Sequence, residues 1–263
     1  MALLDGMNGL IVGVANDRSY ATHIARSLHE HGATLAFTHL PGEKNERRTR
    51  KAVEGLGLTD PWLRPLDASS DEEIDGVFEA YAKDFPKLDF LVHSIAFADR
   101  EWLRPGSFTQ TPRQAYLSAI DISAYTLIAL SRGAAPLMTD GGSILAMSYY
   151  GAEKVIPGYN VMGVAKAALE CNMRYLASEL GAKAIRVNTI SGGPLRTLAS
   201  SAVGGIDSML DETPKIAPLR RNIEGEDVGN TAVWLCSKLS AGVTGENIYV
   251  DAGANIMGAP HKD

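Results

Sequence analysis

The stretch NGLIVGVANDRSYATHIARSLHEHGATLAFT, residues 8–38, decides the fold. Residues 8–14 form a short apolar run, residues 21–31 place apolar side chains at helical spacing, and residues 33–38 are apolar again. Strand, helix and strand in immediate succession is the crossover that joins two parallel strands. The same rhythm continues outward to the end of the chain. Strands are expected at 62–66, 88–93, 142–148, 184–190 and 246–251, and helices at 43–54, 71–85, 112–138, 159–180 and 224–238. This predicts an α/β fold, a doubly wound parallel sheet of about seven strands with helices on both faces.

No linker interrupts the pattern, so residues 1–263 are expected to form a single domain. Residues 191–221 are the one long irregular segment, carrying Gly204, Gly205, Pro214 and Pro218 around a short helical piece. A segment of that length in a compact domain is usually a binding loop or lid, and here it is expected to cover substrate.

Composition narrows the function. With 45% hydrophobic and 21% charged residues the chain is globular, and a formal net charge of -6 argues against nucleic acid or an anionic membrane as partner. The opening MALLDGMNGLIVGV has no signal-peptide pattern and no run approaches about 18 apolar residues, so a cytoplasmic location is expected. Cys171 and Cys236 do not suggest a disulfide framework. The histidines are scattered, and His29 and His31 face different ways, so no metal site is expected.

In open α/β sheets ligands bind beyond the carboxyl ends of the strands, where strand order reverses. Gly13 and Ser19 follow the first strand, Asp67 the third, Ser94–Ala98 the fourth, Tyr149 the fifth and Gly192-Gly193-Pro194 the sixth. Gly13 permits a tight turn, and the Ser19 hydroxyl with the N–H groups of the following helix suits a pyrophosphate, although G-x-G-x-x-G is absent. Asp67 could accept an adenine amino proton or cap the helix that starts near Ser69 or Ser70. The second strand ends FTHLPG, with no acid for a ribose 2′-hydroxyl and no immediate arginine for a 2′-phosphate; Lys44, Arg47 and Arg48 lie a turn further on. These residues leave NADH against NADPH open.

Tyr149, Tyr159 and Lys166 add two phenols and an ammonium. On a helix starting at Tyr159, seven residues are about 20° short of two turns and rise roughly 10 Å, so Tyr159 and Lys166 would share a face. Partly buried aromatics would satisfy the same spacing.

Taken together the residues resemble the short-chain dehydrogenase/reductase superfamily, whose fold is Rossmann-like. They resemble in particular its divergent branch, the bacterial-type enoyl-(acyl-carrier-protein) reductases of fatty-acid synthesis. The branch is marked by Tyr159-(six residues)-Lys166 in place of Tyr-x-x-x-Lys. It is marked also by HSIAFA (93–98), DISAY (121–125), SYYGAEKVIPGYNVMGVAKAALE (148–170), RVNTISGGPLRTLA (186–199), PLRR (218–221), EDVGN (226–230), TGE (244–246) and VDAG (250–253). The match spans nearly the whole chain.

The resemblance implies reduction of an enoyl thioester on acyl carrier protein by NADH, with NADPH not excluded, in a homotetramer. It makes Tyr159 the phenol at the thioester carbonyl, Lys166 the holder of the nicotinamide ribose, and Tyr149 a second active-site tyrosine. Gly13, Ser19, Tyr20, Leu40, Asp67, Ala68, Ser94, Ile95, Ala96, Leu195, Arg196, Thr197, Leu198 and Ala199 fall at cofactor positions, and Ala98 and Met162 at substrate positions. An acyl pocket is expected among Met162, Tyr149, Pro194, Ala199, Ala202 and Ile206. Arg196, Arg220 and Arg221 are candidates for an acidic carrier, and Tyr125, Leu127, Ile128, Ala167, Ala168 and Cys171 for subunit contacts.

Two departures stand out. His23 occupies a helix position where the family has Gly, which predicts that its ring turns outward; Leu40 stands where NADH-using relatives often have Gln. One rival is a reductase of 3-oxoacyl thioesters or other carbonyl compounds, opposed by the Tyr159–Lys166 spacing and by Ala146 at the usual catalytic serine position. Another is a non-catalytic nucleotide-sensing module.

Overall fold

The computed structural model of the chain describes residues 2–198, 200 and 205–261. Strands β1 (Asn8–Val12), β2 (Thr34–His39), β3 (Trp62–Pro65), β4 (Phe90–His93), β5 (Gly142–Ser148), β6 (Ile185–Gly192) and β7 (Asn247–Val250) build one sheet, ordered β3-β2-β1-β4-β5-β6-β7. Every neighbouring pair is parallel. The described helices are α1 (Tyr20–Glu30), α2 (Glu43–Glu54), α3 (Asp71–Asp84), α4 (Arg113–Ile120), α5 (Thr126–Ala134), α6 (Val161–Leu180), α7 (Ile206–Ile216) and α8 (Gly225–Cys236).

Alternation along the strands explains the two layers. Ile11 packs into a core with Ile24 and Leu28 of α1 and Val228 and Ala232 of α8. Its neighbours Leu10 and Val12 point to the opposite face, into a core with Val77 of α3, Leu127 of α5 and Leu169 of α6. Both faces are dry, which is why the strands read as continuous apolar runs rather than alternating ones. Strand order reverses between β1 and β4, and Asn8 N–H donates to Asp89 Oδ2 at 2.8 Å across that seam.

Three segments differ from expectation. The helix expected at 112–138 is interrupted by a π turn, Asp121–Tyr125, and ends in a 3₁₀ turn, Ala135–Leu137. Hydroxyls account for the interruption: Thr126 Oγ1 donates to the Ile122 carbonyl at 2.7 Å, while Ser123 Oγ accepts from Phe97 N at 2.9 Å and donates to Phe97 O at 3.0 Å. Side chains that compete for backbone partners favour such bulges.

Helix α6 starts at Val161 rather than Tyr159, because Asn160 sits at φ 43, ψ -119. Strand β6 runs on to Gly192, held by pairing of Ser191 and Gly192 with Tyr249 and Val250. The irregular segment is therefore shorter than 191–221, and it contains α7 with Pro214 inside. Proline has no N–H for the carbonyl four residues back, and Asn222 Nδ2 donates to that carbonyl, Leu210 O, at 2.9 Å. Cys171 and Cys236 are free thiols. No described helix is long and apolar enough to cross a membrane.

Candidate active site

The first wall of the site is the β1/β4 seam. Gly13 has φ +112, and a Cβ there would lie 2.2 Å from the Ser94 carbonyl oxygen, so only glycine lets the two strand ends approach. Ser94 N–H donates to Val12 O at 2.8 Å and completes the closure. Ile95 packs against the lower core, the one that holds Leu10 and Val12, and Ala96 is exposed beside it.

Ser19 caps α1 without a side-chain bond to the N–H groups of the helix; its hydroxyl instead donates to Asn16 O at 2.9 Å and is hydrogen-bonded to Thr22 Oγ1 at 2.8 Å. Tyr20 crosses to the end of β6, where its hydroxyl donates to the Gly193 carbonyl. Leu40 follows the last residue of β2 and is 61% exposed. The Asp67 carboxylate is engaged locally, accepting from Ser69 N at 3.0 Å and Ser69 Oγ at 2.7 Å, and these bonds hold its pKa down. The cap of α3 is Ser70, whose hydroxyl accepts from Glu73 N at 3.2 Å. Ala68 packs against the lower core.

His23 does not swing into solvent as expected. It is half-buried against α8, where a Cβ on Gly225 would lie 2.2 Å from its ring, and burial lowers its pKa. The bulk that a glycine in α1 would have spared is absorbed by a glycine in the adjacent helix.

The second wall gathers at the end of β5. Tyr149 leaves the strand with its ring edge-on to Tyr159, centroids 4.9 Å apart at 75°. Tyr159 is 9% exposed and belongs to a small apolar cluster with Leu103, Ala119, Val161 and Met162. Burial, then the neighbouring Tyr149, Tyr20 and Glu170, pushes its pKa above the ordinary phenol range. The group is thus a protonated donor, and its hydroxyl makes no hydrogen bond to other described residues. Because Tyr159 stands ahead of α6, the shared-helix-face reading of Tyr159 and Lys166 fails. Each is anchored to the end of β5 separately, Tyr159 by its ring contact with Tyr149 and Lys166 by its bond to the Met147 carbonyl.

Lys166, 6% exposed, donates to the Met147 carbonyl at 2.7 Å. One turn later Glu170 accepts from Ser148 Oγ at 2.5 Å and from Asn247 Nδ2 at 3.2 Å. Two successive carbonyl and hydroxyl groups of β5 are stitched to two residues one turn apart on α6. Burial draws the Lys166 pKa down to about 8, with the Glu170 charge opposing it. Burial raises the Glu170 carboxyl, and the Ser148 bond acts against that.

Residues after β6 reach the same region. Tyr149 OH points at Met209 Sδ of α7, 3.8 Å away, and Ile206 is buried at the start of that helix. Leu195 is half-buried, Thr197 buried and Leu198 exposed. Ala199 and Ala202 of the expected pocket, and Gly204 of the expected cover, lie outside the described residues. Met162 packs beneath Tyr159, with Ser123 Oγ 3.8 Å from its sulfur, and Ala98 lies against the same cluster. Arg196 pairs with Asp207, and Arg221 with Asp227 at 2.7 Å, so two of the three basic candidates are already paired with carboxylates.

A family model described as enoyl-(acyl carrier protein) reductase matches residues 13–255, a span holding every one of these groups. The chain belongs to the enoyl-(acyl carrier protein) reductase family. Among its reductase relatives, the enoyl-(acyl-carrier-protein) reductase (NADH) of Synechocystis sp. is 49% identical over 257 residues, 97% of this chain and 98% of that one. The Nostoc sp. enzyme of the same name is 50% identical over 260 residues, 98% and 100% of the two chains. A Bacillus cereus enoyl-acyl carrier protein reductase, solved with NADP+ and an indole naphthyridinone, superposes at TM-score 0.95 with 47% identity, covering 98% of this chain and all 100% of its own. The Anaplasma phagocytophilum reductase solved with NAD gives 0.92 at 43% identity, covering 100% and 96%.

Within this reductase-family site, sequence reading passed over Asn160, Glu170 and His93. Glu170 carried a signal, a carboxylate four residues after Lys166 on an apolar helix. His93, fully buried at the end of β4, has Nε2 2.8 Å from Thr126 Oγ1 and is driven down to about 3 by burial, then Lys166. Nothing in a strand sequence distinguishes such a neutral histidine from an exposed one.

Proposed function

We propose that this chain reduces the C2=C3 double bond of trans-2-enoyl thioesters on acyl carrier protein with NADH, the closing reduction of a fatty-acid elongation cycle. What supports the reading is that a protonated Tyr159, its ring against Tyr149, and a buried Lys166, bonded to the Met147 carbonyl, are both anchored at the end of β5. Residues 1–263 act as one catalytic unit, and the segment after β6 closes over substrate.

The residues fit a nicotinamide dinucleotide. Lys166 has three N–H donors and spends one on Met147, so a buried cation keeps donors for ribose hydroxyls. The first turn of α1 has no side-chain cap, which suits a pyrophosphate beside Gly13, Ser19 and Tyr20. Asp67, Ala68 and Leu40 border the adenosine end; Ser94, Ile95, Ala96 and the 195–199 stretch border the nicotinamide end. At the end of β2, His39 turns Nδ1 onto the Leu40 carbonyl at 3.0 Å, and the cations Lys44, Arg47 and Arg48 belong to α2. That favours a free 2′-hydroxyl, hence NADH.

Bound NADH supplies the hydride that adds to C3. Tyr159 donates its O–H to the thioester oxygen as negative charge gathers there, an interaction stronger in the transition state than in the substrate. One such donor contributes about 2.7–4 kcal/mol. The Lys166 ammonium favours charge on the same oxygen, and Tyr149, Met162 and Ala98 line the acyl side. Tyr125 at the end of the π turn, Ile128 of α5 and Tyr175 of α6, the last 76% exposed, are apolar faces that assembly into a homotetramer would cover. Leu127 belongs to the monomer core instead, being fully buried. A cytoplasmic setting suits the free thiols.

Steady-state oxidation of NADH and NADPH against crotonyl and acetoacetyl thioesters tests the reading. Tyr159→Phe is expected to lower turnover about a hundredfold with NADH affinity intact, whereas Lys166→Ala weakens NADH binding first. Turnover of acetoacetyl thioester alone would favour the carbonyl-reductase rival, and undiminished turnover by Tyr159→Phe would remove that phenol from the reaction.

A further inference from the structure

The geometry points to Asn160 as the positioning residue of this site: a side-chain clamp on the 102–107 backbone that holds the reverse turn aiming the Tyr159 phenol. The inference rests on the proposed role of Tyr159.

Tyr159 lies between two reverse turns. In the first, Tyr159 N–H donates to Ile156 O at 2.9 Å, with Pro157 and Gly158 at the corner and Gly158 at φ +83. In the second, Met162 N–H donates to Tyr159 O at 3.0 Å, with Asn160 and Val161 at the corner. Asn160 takes φ 43, ψ -119, the first corner of a type II′ turn, where glycine is the residue of least strain. An asparagine held there is stabilised from outside the turn.

Its amide provides that hold. Nδ2 donates to Trp102 O and Arg104 O, each at 2.8 Å, and lies 3.2 Å from Ser107 Oγ. Two N–H groups thus meet two main-chain carbonyls of a single short segment, with the hydroxyl as a weaker third partner. Leu103, between those carbonyls, packs in the same cluster as Tyr159. A Cβ on Gly158 would sit 3.3 Å from Leu103 O, so the same segment also backs the first turn. The direction of the Tyr159 ring is consequently fixed on both sides by residues 102–107, an arm that reaches back from the end of β4.

Asn160→Gly removes the clamp while keeping the backbone conformation accessible, and Asn160→Asp places a carboxylate against two carbonyls. Both are measured for turnover on crotonyl thioester and for NADH binding by fluorescence titration, with circular dichroism as the check on folding. Turnover is expected to fall ten- to a hundredfold in Asn160→Gly and further in Asn160→Asp, with NADH affinity within twofold of the parent. In a Tyr159→Phe background, Asn160→Gly is expected to change turnover by less than twofold, since the donor it aims is gone; a general structural role would lower both backgrounds alike. Equal losses in the two backgrounds, a parallel loss of NADH affinity, or full turnover in Asn160→Gly would each overturn the inference. If Asn160→Asp does not fold, Asn160→Gly in the two backgrounds decides alone. A Tyr159→Phe variant that keeps full turnover would defeat the underlying reading and is distinguished by that measurement on its own.

Discussion

Gly151 offers the sharpest handle on the site, because its backbone is in an ordinary region and only space is at stake. A Cβ on residue 151 would lie 2.4 Å from Tyr159 Cδ1, 2.8 Å from Cε1 and 3.3 Å from Tyr149 Cδ1. Ordinary contact begins at 3.4 Å, so the Tyr159 ring must retreat by about 1 Å. It cannot do so freely, with Leu103, Met162 and the edge-on Tyr149 ring around it. A misplacement of roughly 1 Å costs on the order of a hundredfold in rate, about 2.7 kcal/mol of barrier, and the overpacking itself about 1–3 kcal/mol of stability. Gly151→Ala should therefore fold, bind NADH through the β1/β4 wall, and reduce crotonyl thioester about a hundredfold more slowly. Stopped-flow single turnover with NADH in excess isolates the chemical step. A folded Gly151→Ala protein whose single-turnover rate stays within twofold of the parent would refute the placement of Tyr159 at the reacting oxygen.

Other consequences are open to measurement. NADH affinity is expected to weaken as pH rises through about 8, where the buried Lys166 loses its proton. Glu170→Gln keeps an oxygen for Ser148 and Asn247 but removes the opposing charge, so that midpoint should move to lower pH. His93, the other titratable group beside Lys166, is already neutral there, and an unmoved midpoint would dismiss the Glu170 charge. Gly225→Ala drives a methyl into the His23 ring and should cost about 1–3 kcal/mol in urea unfolding; His23→Ala in the same chain should restore most of it, and a purely additive pair would refute the compensation. Leu127→Ala should cost about 2–5 kcal/mol without altering the sedimentation coefficient, as befits a core residue of the subunit.

Much of the architecture was readable because both sheet faces are buried: apolar runs such as residues 8–14 and 142–148 can be little else between amphipathic helices. Boundaries failed where side chains overrule the ladder. The hydroxyls of Ser123 and Thr126 break a helix that periodicity draws as continuous, and Asn160 delays the start of α6 by tethering itself to residues far away in sequence. The shared helix face drawn for Tyr159 and Lys166 does not exist, because Tyr159 stands ahead of α6 and its ring packs on Tyr149 instead. The partners of Glu170 come from β5 and β7, and the ring of His23 meets a glycine some two hundred residues on. Such pairings depend on strand order, which local periodicity does not contain.

The seam between β1 and β4 has a consequence for how the chain comes off the ribosome. Strand β1 gains β2 as a neighbour almost at once, while β4 follows some fifty residues after β2, and until then one flank of a central apolar strand has no partner. An unpaired edge of that kind invites association with other chains. Synthesis of β4 both seals that flank and brings Ser94 against Gly13, and it hands the open edge outward to β4 itself, which waits some fifty residues more for β5.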